Sequence, residues 1–121
     1  MLEMLEVDLD NAVAFRMSGK VTKADMSAVL NAAQLKVEQY GNVVFFEQID
    51  SFKGIELAAI AAEFRYLFDV GIANISKVAV LSDKQWLKNL VRIEDKIFRH
   101  IDIHSFAIDD RDAAIEFLRT A

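Results

Sequence analysis

The chain of 121 residues has no cysteine and no proline. Without cysteine there is no disulfide framework and no thiolate metal site, and nothing points to an oxidising compartment. Without proline, and with no low-complexity segment or internal repeat, nothing marks a boundary between domains. One domain over residues 1–121 is the expectation. Lys and Arg are scattered, and the net charge is −5. Phosphate backbones repel such a surface, so nucleic acid is disfavoured as a main partner, and anionic membranes for the same reason. No apolar run approaches the roughly 18 residues of a membrane span. The opening MLEMLEVDLD carries acids and no basic stretch, unlike a secretory signal, so the expected location is cytoplasmic. Catalytic signatures are missing too: no G-x-S-x-G elbow, P-loop or G-x-G-x-x-G occurs. The expectation is a protein that is not an enzyme and carries no cofactor.

What is present is core-forming material, 54% hydrophobic residues. Its clearest unit is KVAVLSDKQWLKNLV, Lys77 to Val91. Val78 to Leu81 form a continuous apolar run, as a strand covered on both faces would. Ser82 with Gln85, or Asp83, then has the spacing that opens a helix. Trp86, Leu87, Leu90 and Val91 follow at helical spacing.

The same reading extends over the chain. Leu2–Val7 and Ala12–Met17 predict a hairpin of strands, the second alternating Val13, Phe15 and Met17 against Ala14, Arg16 and Ser18. Thr22 and Asp25 predict a capped helix whose stripe is Met26, Val29, Leu30, Ala33, Val37 and Tyr40, stopped by Gly41. VVFFEQI, Val43 to Ile49, predicts a buried strand, followed by a loop over Asp50 to Gly54. A helix over about Ile55–Val70 comes next, with a core stripe of Leu57, Ile60, Ala61, Phe64, Leu67 and Phe68. Ile101–Phe106 predicts a last strand. Asp109 with Asp112 predicts the cap of a final helix with core face Ala113, Ala114, Phe117 and Leu118. The order is ββαβαβαβα. Alternating strands and helices imply parallel pairing through right-handed crossovers, with the hairpin adding one antiparallel edge. The expected fold is α/β: a five-stranded, mostly parallel mixed sheet with four helices.

Taken together, KVAVLSDKQWLKNL, the hairpin ending FRMSGK, VTKADM and the closing DRDAAIEFLRTA resemble the bacterial SpoIIAA-like family. The resemblance implies a STAS-type fold, also compared with the CRAL-TRIO lipid-binding fold, over essentially the whole chain. It implies two functional themes. Anti-sigma-factor antagonists of the wider STAS group switch protein partners when a serine at the start of the second helix is phosphorylated. CRAL-TRIO relatives hold lipophilic molecules.

Candidate sites follow from these readings. Asp50, Ser51 and Gly54 occupy the place of the STAS switch loop, although Phe52-Lys53 stands where that pattern has one small hydroxyl residue. Phosphate there would meet a helix N-terminus; set against this, Asp50 and Ser51 suit a plain turn. His100, Asp102 and His104 alternate along the last strand and share a face, a weak metal-ligand set beside the simpler reading of an exposed polar face. Trp86 is either a core packer or a ligand- or partner-contacting residue at the sheet's carboxyl end. Ala59, Ala62, Tyr66 and Val70 form a second stripe on the middle helix, suited to a homodimer, to the wall of a pocket, or to a helix covered on both sides within the monomer. The leading expectation is a regulatory or binding module acting through protein contacts. Its competitor is a carrier of a small lipophilic ligand between helices and sheet.

Overall fold

The computed structural model describes residues 2–18, 22–51, 74–82 and 102–120. These form strands β1 (Leu2–Leu5), β2 (Ala12–Ser18), β3 (Val43–Ser51), β4 (Ile75–Ser82) and β5 (Asp102–Ala107), with helices α1 (Lys23–Tyr40) and α2 (Arg111–Arg119). The middle helix expected over 55–70 and the helix expected after Ser82 lie outside the described residues. So do Gly54, Ala59, Ala62, Tyr66, Val70, Trp86 and His100.

The five strands make one sheet in the order β1-β2-β3-β4-β5. β1 is antiparallel to β2, and the other three pairings are parallel, as the alternation of elements predicts. The first strand is shorter than expected, ending at Leu5. Val7 and Leu9 turn instead under the sheet, and Leu9 N–H donates to the Val7 carbonyl at 2.8 Å.

The strand pleat divides the core in two. One side holds Val13, Phe15, Met17, Val43, Phe45, Ile49, Val78 and Val80, covered by Met26, Val29 and Ala33 of α1. The rings of Phe15 and Phe45 meet edge to face, centroids 6.1 Å apart. The other side holds Ala14, Val44, Phe46, Ala79 and Leu81, covered by Ala114 and Leu118 of α2 and by Leu5, Val7 and Leu9. Burial on both sides explains the continuous apolar runs VVFF and VAVL.

The ends of α1 are those its sequence predicts. Thr22 and Asp25 form a reciprocal capping box: Thr22 N–H donates to Asp25 Oδ2 at 2.9 Å, and Asp25 N–H donates to Thr22 Oγ1 at 3.2 Å. Gly41 closes the helix at φ 84°, a left-handed conformation that favours glycine. Two expectations fail. The residue capping α2 is Asp110, whose side chain makes no cap bond, and Asp109 is exposed. Ala113 is also exposed, because the α2 stripe that reaches the sheet is Ala114, Phe117 and Leu118 with Ile115 beside it.

Two register shifts interrupt the parallel ladders. Met17 pairs with Ile49 but Ser18 with Ser51, so Asp50 is an extra residue of β3. Val43 pairs with Ile75 but Val44 with Lys77, so Ser76 is an extra residue of β4. These are β-bulges, which re-aim side chains and increase local twist.

Candidate functional site

The carboxyl ends of parallel strands are where open α/β sheets assemble sites. Here that edge carries a polar network centred on the bulge residue Asp50. Arg16 of β2 donates through Nε to Asp50 Oδ2, and Gln48 donates through Nε2 to Asp50 Oδ1 at 3.1 Å. Arg16 and Gln48 are register partners on adjacent strands. Both Asp50 oxygens are therefore occupied. The Arg16 side chain is 48% exposed and that of Asp50 22%, so the pair lies at the rim rather than in the core. Screening by water makes such a pair worth little in stability. Its value is positional: it holds the last residues of β3 against β2.

Asp50 and Ser51, expected in a loop, are the last two residues of β3. The bulge is the reason: by accommodating Asp50 outside the ladder, it lets Ser51 pair with Ser18 and lengthens the strand. A period-two reading of VVFFEQIDS ends at Ile49 because Asp-Ser has turn composition.

Two buried polar residues stand on the opposite, α1-covered side of the same edge. Glu47 is 2% exposed and lies in register between Phe15 and Val80. Ser82, the last residue of β4, is 1% exposed, and its Oγ has no hydrogen-bond partner among the described residues. The sequence reading treats Ser82 as a helix cap and gives Glu47 no role. The signal for Glu47 is a charge on the face of β3 that Val43, Phe45 and Ile49 make apolar.

Of the histidine and carboxylate trio, the described residues include Asp102 and His104. Both are exposed, and His104 Nε2 lies 3.1 Å from Asp102 Oδ1. The His104 ring rests on Phe117 of α2, centroids 4.4 Å apart. Lys77, next to Asp102 in register, lies over the same Phe117 ring at 4.5 Å and donates to the Phe117 carbonyl and to Thr120 Oγ1. This cluster fastens the C-terminal turn of α2 to the sheet. Among the described residues, no group of three or more His, Cys, Asp or Glu is placed to hold a metal.

A groove of about 370 Å³ lies between the hairpin and the flank of α1, lined by Met4, Leu5, Ala12, Ala32, Lys36 and Tyr40 among others. Lys36 Nζ sits 5.6 Å from the Tyr40 ring centroid. Among the described residues, no helix is long and apolar enough to cross a membrane.

The class of protein is thus an α/β domain built on a five-stranded mixed sheet, with a polar network at its carboxyl edge. The SpoIIAA-like family model matches residues 12–119, nearly the whole chain, and the chain belongs to that family. No curated protein and no solved structure matches it.

Proposed function

We propose that this chain is a non-catalytic binding module that acts through protein contacts, with the carboxyl end of β3 as its switch. The observation that carries this reading is the bulge at Asp50, latched by Arg16 and Gln48, with Ser51 next in the chain. A phosphate at Ser51 would add negative charge next in the chain to Asp50 and so weaken the hold of the latch on that carboxylate. The latch would then open and change what the edge presents. A homodimer through Ala59, Ala62, Tyr66 and Val70 belongs to the same reading. It is tested by Ala62→Glu and the mass in solution.

Mass spectrometry of the natively purified protein tests the proposal. The expected result is a protein partner whose recovery depends on Ser51: retained by Ser51→Ala and lost in Ser51→Asp. Indifference of the partner to both variants, with no phosphate on the chain, would sink the switch. A second reading, a carrier of a small lipophilic ligand, draws on the groove beside the hairpin. Its volume is near the lower limit of ligand pockets. A bound lipid in the same mass spectrum would favour it.

A further inference from the structure

We infer that the outer edge of β1 is a docking site for an extended, basic segment of a partner protein, which adds to the sheet as a sixth strand. The inference rests on the protein-contact reading above and supplies a surface that reading does not name.

Three observations converge there. First, β1 ends the sheet, with β2 on one side and no strand of the described residues on the other. Among the described residues nothing pairs with the outer row of its backbone donors and acceptors, and such an edge pairs readily with another chain. Second, the groove of about 370 Å³ opens at the end of β1, between Met4, Glu6, Asp10 and Ala12 of the hairpin and the Ala32, Lys36 and Tyr40 flank of α1. Met4 and Tyr40 are large apolar side chains left 45% and 44% exposed. Strand addition takes its affinity from backbone hydrogen bonds and its specificity from pockets for alternate side chains. A groove between an edge strand and a helix supplies both. Third, the hairpin is charged with one sign. Glu3, Glu6, Asp8 and Asp10 are all exposed, and the first basic residue is Arg16, which is already committed to Asp50.

The charge selects the occupant. A second copy would set acidic strand against acidic strand, which like-charge repulsion opposes. A segment that alternates apolar and basic residues matches both faces. Met4 shares the groove side with Phe15, its register partner, whereas Glu3 pairs with Arg16 on the other side. Glu6 and Asp10 line the groove together with Met4 and Ala12, against Lys36 on the α1 side, so an apolar side chain of the segment would meet Met4 while Lys or Arg meets Glu6 and Asp10 in the groove and Glu3 beyond it. The opposite edge, β5, lacks this combination: its neighbouring face is already filled by Phe117, Lys77 and Thr120.

The test uses the full chain and a capped Lys-Val-Lys-Val-Lys-Val peptide, followed by amide chemical shifts and calorimetry. The expected result is weak binding, with the largest shifts over Leu2–Leu5. The Glu3→Lys/Glu6→Lys double variant should weaken it by about tenfold or more. A peptide N-methylated at its valines should lose binding, because methylation removes the backbone donors. Equal binding of the methylated peptide would mean charge adsorption alone and would overturn the inference. So would shifts away from β1, or a free protein that already dimerises through that edge. If a natively recovered partner stays bound to the double variant, the docking site falls while the protein-contact reading stands.

Discussion

Among the described residues, the two sides of the sheet are held by different means. On one side the long helix α1, capped at both ends, lays Met26, Val29 and Ala33 over a layer rich in Phe and Val. On the other, the cover is assembled from pieces far apart in sequence: the bend after β1 and the nine-residue α2. Polar tethers join those pieces. Arg111 donates to the Glu6 carbonyl at 3.1 Å and stacks over Phe46, and Lys77 grips the end of α2. The long helix carries its own caps at both ends, whereas the short segments are joined by contacts to residues distant in sequence. A fully ordered nine-residue helix is marginal by itself in water.

This contrast predicts a ranking of damage. Phe45→Ala, in the α1-covered layer, should cost about 3–5 kcal/mol by chemical denaturation. Leu118→Ala removes a buried anchor of α2 and should cost about 2–4 kcal/mol. A larger loss at Leu118 than at Phe45 would reverse the ranking. Lys77→Met keeps the aliphatic stem but removes the fastening of α2, and should cost about 1 kcal/mol. The loss should appear first as faster amide exchange over 111–119. Thr22→Ala should likewise cost about 1 kcal/mol, confined to the α1 side. Ser82→Ala should be the mildest, neutral or stabilising by up to about 1 kcal/mol, because it deletes a buried hydroxyl with no partner among the described residues.

The α1 cap adds a pH dependence. The backbone hydrogen bond from Thr22 holds the Asp25 carboxyl below its ordinary value, against a smaller opposing effect of burial. A carboxyl depressed in the folded state stabilises fully above its unfolded pKa and loses that contribution as pH falls through the folded value. Acid titration should therefore fray the first turn of α1, and Asp25→Asn should flatten that response. An unchanged acid profile in the variant would show that the cap does not contribute.

Much of the fold is written in local pattern. The Val13–Phe15–Met17 alternation, the Thr22–Asp25 box and the Gly41 stop each act over a few residues, and each appears where the pattern puts it. The last cap is different. Asp109, Asp110 and Asp112 all have the right chemistry, and only the path of the chain leaving β5 chooses among them. The candidate edge was half legible. Asp-Ser after a buried strand drew attention to the correct place, but its partner, Arg16, is 34 residues away and has no local signature.

Among the described residues, the strands, the two helices and the apolar strand faces follow from periodicity and capping, which are short-range properties of the chain, and the motifs they build carry the family. Tertiary structure alone decided the two bulges. A bulge is a relation between strands: Asp50 and Ser76 become extra residues only once β2 and β3 have fixed their registers against β3 and β4. Both extra residues are polar and both are tied by neighbours, Asp50 by Arg16 and Gln48, Ser76 by Asn42 at 2.8 Å. Pairing between distant strands, rather than local propensity, therefore sets the carboxyl edge on which the proposed switch depends.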